Sequence, residues 1–548
     1  MKMKERNAQL KSTLNAIPTK ERIVESQNIP SEDTVNRQGY AAYSLPDELR
    51  LISMLNTLKL EPQYYRSESE TMKELRDLIE RIGSKDPYFV AQAIVYSRCM
   101  RDGMRSINHL GAALLAPFAS KQEWAKRFYG PFDKKNKKGG CIYRVDDMSE
   151  IKDAFSALNK SALTNSMKKG FAKVIEGLDT YQLAKYRKTI IDISNLVHPN
   201  SKNSNAFIKN EKDEDVKTLD AIMQGITVTA DTWESAQSDA GQKVAEAVKQ
   251  GKITKEEAEE VLKEAKNDNW DALLSENKLG ILAALRNIRS MMKEPRTEVI
   301  DKLCELISNK DKIRKGLIMP YQMDIAYEIL RSEFSSYDKY NQVCSALIKG
   351  YEEAIPNIKE KLYGNTCIMV DCSGSMNSMC IGSGHKAMRC SAIEKASLIA
   401  ATLAKATNAD VVRFGSSATY FKYNKNKNVF ELAKDIAHAN MGGTNISAAW
   451  ELIRRDGKKY DRVILLSDNE CNSSCWGSSW TSDSYKDYVH DVCSPYVYCV
   501  DFCSYGTTPL KGDKVSYYFG YGYSLFDDIV NNEFNPLDHI DKVRQVEI

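Results

Sequence analysis

The sequence predicts a multidomain protein in which a long all-helical part is followed by a doubly wound α/β domain. The chain has 548 residues, more than a single hydrophobic core organises. Residues 45–348 read almost entirely as amphipathic helices, and beyond Gly364 short apolar runs alternate with helical patterns. Hydrophobic residues make up 42% and charged residues 28%, a composition typical of globular proteins and not of disordered or fibrous ones.

The helical part begins near Leu45. Leu51, Leu55 and Leu58 fall on one helical face, and Pro46 stands where a first-turn proline belongs. No repeat of fixed period is visible, but many short helices in series predict an α-solenoid, in which helix pairs stack on their neighbours. Further amphipathic stretches lie at 70–81, 87–100, 150–175, 242–265, 278–292, 297–308 and 324–333.

The C-terminal part changes to an alternation of strands and helices. Strands are predicted at 367–371, 411–414, 463–466, 496–500 and 515–519. Helices are predicted between them at 392–406, 430–439 and 446–453. This order indicates a mainly parallel, doubly wound sheet, whose ligands bind at the carboxyl ends of the strands.

Oxygen-bearing side chains follow three of these elements. Asp371, Ser373 and Ser375 come directly after the first strand, Thr444 follows two glycines ahead of a helix, and Asp468 closes the strand at 463–466. Hard cations prefer oxygen ligands, so this set predicts one Mg²⁺ or another divalent cation. The alternative is that Asp371, Ser373 and Thr444 only cap helices.

The five residues resemble the metal-ion-dependent adhesion site of von Willebrand A domains, which uses an Asp-x-Ser-x-Ser loop, a Thr and a later Asp. The resemblance covers roughly residues 364–535. It implies that all five residues coordinate the cation, some of them through water. In that family the last coordination position is left for water or for a partner's acidic group, so an exonuclease or another protein could bind there.

Two stretches of the helical part concentrate positive charge. The formal net charge of the whole chain is only +3, yet residues 121–140 and 160–190 each carry seven basic and two acidic residues. Tyr129, Tyr181 and Tyr186 interleave with them and offer faces on which unpaired bases stack. The stretches predict RNA binding, although runs of charge are also common on merely solvated faces. The RNA-contact candidates are Lys134, Lys135, Lys137, Lys138, Lys168, Lys169, Arg187 and Lys188.

Three segments of the helical part resemble the TROVE module of the Ro ribonucleoprotein autoantigen family. They are residues 35–43 with Tyr64 and Tyr65, residues 186–199, and residues 232–234 with Trp270 and residues 282–287. Their order, and the von Willebrand A domain after them, match the family's architecture. His198 falls in the second segment, in the family's Ser-His-Pro-like stretch, which makes it a further RNA-contact candidate.

The resemblance implies a monomeric ring of HEAT-like helical repeats that is closed by the von Willebrand A domain. Family members bind small structured noncoding Y RNAs on the outer surface and take the single-stranded 3′ ends of misfolded noncoding RNAs through the hole, in RNA quality control and stress survival. We therefore expect a flexible arm at 1–34, a TROVE-like RNA-binding module at 35–360, and an A-like domain with a C-terminal tail at 361–548.

A cytoplasmic protein is expected. No run of eighteen apolar residues predicts a membrane span, and the polar stretch at 1–20 lacks the apolar region of a secretory signal. The 13 cysteines are then reduced thiols. Those between Cys471 and Cys503 lack the paired spacing of common zinc modules, and the sequence assigns them no role.

Catalytic signatures are absent. The chain has no Walker A loop, no Gly-x-Ser-x-Gly elbow and no His-Glu-x-x-His motif, and its six histidines are dispersed. We therefore predict a protein that is not an enzyme. The alternative to RNA binding is a non-catalytic protein–protein adaptor, in which the A-domain metal binds a partner's acidic side chain and the helices form a scaffold.

Overall fold

Two compact units make up the chain. One comprises Met1–Ala119 together with Ile355–Ile548, and the other comprises Ser120–Ala354. Most of the predicted arm at 1–34 lies outside the described residues. The computed structural model describes residues 33–38, 40–58, 65–101, 104–159, 162–209, 213–226, 228, 254–293, 295–316, 318, 320–359, 362, 364–378, 380–381, 390–472, 481–512, 514–520 and 539–548.

The first unit starts with a β-hairpin and a group of helices. The predicted apolar face of the first helix is confirmed, because Leu51, Leu55 and Leu58 are all fully buried. The helix predicted at 87–100 is an α-helix that continues as one π-helical turn, Tyr96–Met100. The elements are β1 (Asp33–Val35), β2 (Ala41–Ser44), α1 (Asp47–Thr57), α2 (Glu68–Gly83), α3 (Pro87–Val95) and α4 (Arg105–Ala119).

The second unit is almost entirely helical. Its helices pack on helices close to them in sequence, as an α-solenoid requires. The stretch predicted as helix at 150–175 divides into two helices, and two short hairpins, which alternation did not reveal, lie between helices. The elements are α5 (Ala125–Phe128), β3 (Phe132–Asp133), β4 (Lys138–Gly139), α6 (Asp147–Asn159), α7 (Asn165–Glu176), α8 (Thr180–Lys185), α9 (Arg187–Val197), β5 (Phe207–Lys209), β6 (Asp215–Lys217), α10 (Thr218–Met223), α11 (Lys255–Ser275), α12 (Ile281–Met291), α13 (Thr297–Ile307), α14 (Lys310–Lys315) and α15 (Tyr321–Glu333).

Helix α16 (Tyr340–Lys359) leads into the α/β domain. Within the described residues the domain contains a buried sheet that is parallel except for one antiparallel pair, β10 with β11. The strand order is β11 (Ala418–Tyr420), β10 (Asp410–Phe414), β7 (Thr366–Asp371), β12 (Arg462–Ser467), β13 (Tyr496–Asp501) and β15 (Val515–Phe519). The predicted doubly wound domain is confirmed, and each predicted strand is present. The elements are β7 (Thr366–Asp371), α17 (Gly374–Ser378), β8 (Cys380–Ile381), β9 (Cys390–Ser391), α18 (Ala392–Thr407), β10 (Asp410–Phe414), β11 (Ala418–Tyr420), α19 (Val429–Ala437), α20 (Ile446–Arg455), β12 (Arg462–Ser467), α21 (Thr481–Asp491), β13 (Tyr496–Asp501), β14 (Thr507–Thr508), β15 (Val515–Phe519) and α22 (His539–Arg544).

The N-terminal elements pack on the α/β domain in the same unit. Strand β2 pairs with both β1 and β14, α1 contacts β15, and α22 packs on α1 and α3. The Gln92 amide donates to the carbonyl oxygens of Arg544 and Val546, each at 2.9 Å. The predicted boundaries at 34/35 and 360/361 therefore do not coincide with the compact units, because the apolar faces of α1 and α3 are covered by the C-terminal part of the chain.

Candidate metal centre and nucleic-acid interface

The first part of the candidate metal centre is the loop that follows β7. The Oδ1 atom of Asp371 accepts the backbone N–H of Ser373 at 2.9 Å, and its Oδ2 accepts the Ser467 hydroxyl at 2.6 Å. The Oγ atoms of Ser373 and Ser375 lie 3.2 Å apart. All of these side chains are buried. The loop is thus held both by its own strand and by the end of the neighbouring strand β12.

A second loop carries Thr444, which is buried. This loop lies against the first, since the backbone N–H of Gly374 donates to the Gly442 carbonyl at 3.1 Å. The backbone N–H of Thr444 donates to Oδ1 of Asn472 at 2.6 Å. A Cβ atom on Gly443 would lie 2.6 Å from that same oxygen, so glycine at this position lets the Asn472 side chain approach closely.

Asp468 follows β12, and its carboxylate is fully buried. Because β12 pairs in parallel with β7, the two strands end at the same edge of the sheet. The Asp468 carboxylate accepts a hydrogen bond from the Ser375 side chain and, through Oδ1, the backbone N–H of Glu470 at 3.2 Å. Its Oδ2 has no hydrogen-bond partner among the described residues. A buried carboxylate oxygen left unpaired is costly unless a cation satisfies it.

The structure therefore brings together the three loops that carry all five predicted metal ligands. Two carboxylates and three hydroxyls form a donor set that suits a hard divalent cation. No group of three or more His, Cys, Asp or Glu side chains in the described part of the chain is arranged to hold a metal ion. Cys471, Cys499 and Cys503 are buried free thiols, and Cys475 lies outside the described residues.

Burial dominates the electrostatics of this edge of the sheet. It raises the pKa of Asp371 to about 7, with a further contribution from the neighbouring Asp468 carboxylate, and it raises the pKa of Asp468 as well. Burial also raises the pKa of Asp501 to about 7 and that of Glu470 to about 8. Sequence reasoning missed Glu470 and Asp501, because neither residue fits the ligand pattern.

Three arginines supply the positive charge around these acids. The fully buried Arg66 side chain donates to the Cys503 carbonyl at 3.4 Å and to Glu74 at 3.0 Å, and Arg37 and Arg50 also pair with Glu74. Among these described residues, carboxyl groups outnumber guanidinium groups at this edge. The carboxylates are Asp371, Asp468, Glu470, Asp501 and Glu74, and the guanidiniums are Arg37, Arg50 and Arg66.

The buried Asp501 carboxyl predicts a pH dependence of the metal-free protein. Its pKa in the folded state is above the ordinary value, so its stabilising contribution is full below about pH 4 and is lost as pH rises through about 7. Asp501→Asn keeps the acceptor that holds the N–H groups of Cys503 and Ser504 at 2.7 and 2.9 Å. In EDTA at about pH 8 the variant should be more stable than wild type by on the order of 1–2 kcal/mol, and this difference should be smaller at about pH 5, where only part of the contribution is lost.

Thermal unfolding at both pH values measures this difference. Asp435→Asn is the matched control, because that carboxylate is partly exposed and is already paired with Lys427 at 2.6 Å. Equal slopes of stability against pH for wild type and Asp501→Asn would contradict the prediction.

The first group of RNA candidates lies on the turn between β3 and β4. Lys134, Lys135, Lys137 and Lys138 are all exposed there. The turn is tight, since Lys137 has a φ of 53° and the Asp133 carboxylate accepts the N–H of Lys135 at 2.9 Å. The candidates of this stretch therefore share one exposed turn.

The second group lies on two helices that pack together, α7 and α9. Lys168 and Lys169 are in the N-terminal half of α7, and Arg187 and Lys188 begin α9. His198 is exposed, has a φ of 51° and ends α9. A rise of 1.5 Å per residue places His198 about 16 Å along the helix from Arg187. The structure therefore separates His198 from the basic end of α9.

Cations and aromatic rings alternate between the two groups. The Lys134 Nζ lies 4.1 Å from the centre of the Tyr143 ring, and the Arg144 side chain hydrogen-bonds to Tyr186. The Lys185 Nζ lies 3.0 Å from the Tyr181 hydroxyl and 5.8 Å from the centre of the Tyr186 ring. Charge counting did not single out Tyr143 and Arg144. We name as the basic aromatic strip the residues Lys134, Tyr143, Arg144, Tyr181, Lys185 and Tyr186.

The expectation that Tyr129 offers a stacking face is wrong. Its side chain is fully buried, and its ring makes edge contacts with Phe128 and Phe171 at centroid distances of 4.8 and 6.4 Å. The backbone of Tyr129 is so close to α7 that a Cβ on Gly170 would lie 2.6 Å from it. Tyr129 is therefore part of the core between α5 and α7.

Comparison with known proteins shows what the A domain and the overall fold are similar to. Residues 365–498, which include all five predicted metal ligands, match the family model of the Ro60 von Willebrand A domain. The chain is also similar in fold to the crystal structure of the Ro (RSR) protein of Deinococcus radiodurans, with a TM-score of 0.54 and 13% identity over 89% of this chain and 99% of that one. Residues 365–498 are therefore a von Willebrand A domain of the Ro type. No curated protein sequence matches it.

The Ro-type A domain predicted from the sequence is thus confirmed for residues 365–498, and the fold of helical repeats followed by an A domain is confirmed as well. The match to the family model supports the assignment of the A domain. The structural likeness, which covers 89% of this chain, supports the fold of the helical part as well. Of the TROVE-like segments, residues 232–234 lie outside the described residues. None of the helices in the described part of the chain has the length and hydropathy to cross a membrane.

Proposed function

We propose that this protein is the RNA-binding component of a Ro-type ribonucleoprotein. It binds small structured noncoding RNA of the Y type and takes the single-stranded 3′ ends of misfolded noncoding RNA, in RNA quality control or a stress response. Its role is binding without catalysis, and it acts in the cytoplasm. The similarity to the Ro family supports an RNA partner in general. The exposed cations and half-buried tyrosines of the second unit support the preference for RNA with a single-stranded end.

The basic aromatic strip is the observation that carries this proposal. Its cations can neutralise phosphates, which supplies most of the affinity for nucleic acid, and its half-buried tyrosines offer ring faces to unpaired bases. An A-form duplex hides its base faces and presents phosphates and 2′-hydroxyls instead. A surface that alternates cations with aromatic rings therefore favours an RNA that carries an unpaired tail.

Tyr186→Ala should weaken binding of tailed RNA about tenfold, because base–aromatic stacking contributes about 1–3 kcal/mol per base. Binding of a blunt duplex with the same paired sequence should change little, since the cations of the strip remain. Titrations of both RNAs at one salt concentration measure the effect.

The matched control is Tyr337→Ala, which removes an exposed tyrosine of the same unit that lies outside the strip. It should leave the affinity for both RNAs unchanged. If Tyr186→Ala and Tyr337→Ala bind tailed RNA equally well, stacking on the strip does not occur and the preference for single strands loses its basis.

We further propose that Asp371, Ser373, Ser375, Thr444 and Asp468 hold one Mg²⁺ or another divalent cation. Two observations support the proposal: Oδ2 of Asp468 has no hydrogen-bond partner among the described residues, and the Asp371 and Asp468 carboxyls are buried close together. When bound, the cation would offer a coordination position to water or to an acidic group of a partner protein, such as an exonuclease. The protein's own residues would bind the cation and exclude bulk water from it.

The metal site also supports the second candidate function, a protein–protein adaptor. The absorbance ratio and the extractable RNA of protein purified from its native source distinguish the two functions. RNA that co-purifies, identified by crosslinking and sequencing, favours the ribonucleoprotein. Protein that is free of RNA favours the adaptor.

A further inference from the structure

The turn between β1 and β2 lies on the loop that carries Asp468, within one compact unit. The Nδ2 of Asn36 donates to the Cys471 carbonyl at 2.6 Å, and the backbone N–H of Arg37 donates to the Glu470 carboxylate at 3.0 Å. Asn36, Glu470 and Cys471 are all buried, so water does not compete for the bond from Asn36 to Cys471, and the bond from Arg37 to Glu470 is partly buried. A segment near residue 36 thus holds a loop more than 400 residues away in the chain.

The same loop is fastened on its other side to Thr444. The backbone N–H of Asn472 donates to the Thr444 carbonyl at 2.9 Å, and the thiol of Cys471 donates to that carbonyl at 3.2 Å. Oδ1 of Asn472 accepts the N–H of Thr444 at 2.6 Å. Residues 468–472 therefore connect two of the proposed metal ligands, Asp468 and Thr444, to the N-terminal hairpin.

Both polar atoms of the Asn36 side chain make hydrogen bonds. Its Oδ1 accepts the backbone N–H groups of Gln38 at 3.1 Å and Tyr40 at 3.0 Å, which forms the turn. These two bonds orient the amide so that Nδ2 faces Cys471. A shorter hydroxyl side chain could still hold the turn, as serine does in the equivalent local motif, but it could not reach the Cys471 carbonyl.

We propose that Asn36 is a positioning residue of the metal centre, and that docking of the β1–β2 turn sets the loop that carries Asp468 and Asn472. The inference rests on the metal binding proposed above. Its consequence is a coupling between the N-terminal hairpin and the metal. If the docked hairpin favours metal binding, then bound metal must favour the docked hairpin by the same factor.

Asn36→Ser in the full-length protein tests the first half of this coupling. The free Mn²⁺ signal in electron paramagnetic resonance gives the Kd, which should rise about fivefold to tenfold, as expected for the loss of one buried hydrogen bond. Gln38→Ala is the matched control. Gln38 belongs to the same turn, but its amide donates to the Tyr65 hydroxyl at 2.5 Å instead of to the metal loop. Its Kd should equal that of wild type.

Hydrogen exchange on the wild-type protein tests the second half without any mutation in the hairpin. Saturating Mn²⁺ should slow amide exchange in the peptide that contains residues 36–44, and it should have no such effect in Asp371→Ala. A purely structural role of Asn36 would not produce this metal-dependent protection.

The outcomes separate the two proposals. If wild type binds no Mn²⁺, the metal centre itself is refuted, and this inference with it. If wild type binds Mn²⁺ but Asn36→Ser has the same Kd, or if exchange at residues 36–44 does not respond to the metal, the positioning role is overturned and the metal centre stands.

Discussion

Replacing Lys168, Lys169, Arg187 and Lys188 with glutamate is expected to weaken RNA binding by about two orders of magnitude at physiological salt. The four cations lie on the packed helices α7 and α9, and Arg187 and Lys188 directly follow Lys185 and Tyr186 of the strip in the chain. Fewer counterions are released when fewer phosphates are neutralised. The slope of log affinity against log salt should therefore fall by about three.

Titration of tailed and blunt RNAs at several salt concentrations measures both quantities. A matched control reverses four other exposed cations, Lys422, Lys425, Arg455 and Lys459, which belong to the α/β domain. His198→Ala should have a smaller effect, confined to the single-stranded tail, because His198 lies about 16 Å from the basic end of α9. Wild-type affinity and an unchanged salt slope in the α7–α9 variant would mean that this surface is not the RNA site.

Asp371→Ala is expected to abolish divalent-metal binding. The substitution removes one of the two carboxylates among the proposed ligands, and hence both a negative charge and a coordinating oxygen. Metal at about 100 times its Kd should stabilise wild type by about 2.7 kcal/mol, and this stabilisation should vanish in the variant. RNA affinity should change little, because the candidate RNA residues belong to the other unit.

Elemental analysis and thermal unfolding with and without Mg²⁺ measure these effects. Asp371→Asn should also lose the metal while it retains the acceptor for the Ser373 N–H, so the loss cannot be ascribed to a collapsed loop. Asp435→Asn, at a surface ion pair of the same domain, should bind metal like wild type. Equal metal content in wild type and Asp371→Ala would refute the site.

Much of the α/β domain could be predicted from the sequence. The strand predicted at 515–519 is observed as Val515–Phe519, and that at 367–371 as Thr366–Asp371. Strands that are buried on both faces appear as short apolar runs, so their positions can be predicted from the local sequence. The ligand pattern from Asp371 to Ser375 is equally local, because it follows one strand in one loop.

Other features depend on contacts that no local pattern records. The lysines around Tyr129 indicated an exposed basic stretch, yet Tyr129 is in the core, since only the packing of α5 on α7 decides which side of the segment faces inward. Arg144 was not a candidate, and its hydrogen bond to Tyr186 arises because separate helices bring the two residues together.

The sequence by itself determined the succession of helices, the parallel sheet and the residues that ligate the proposed cation. Only the tertiary structure placed Glu470, Asp501 and Arg66 near the edge of the sheet where the cation is proposed, and Asn36 on the loop that carries Asp468. The physical reason is the distance along the chain. Periodicity indicates which face of an element is apolar, but it does not indicate which distant element covers that face. Buried charged and polar groups find their partners only when those distant elements pack together.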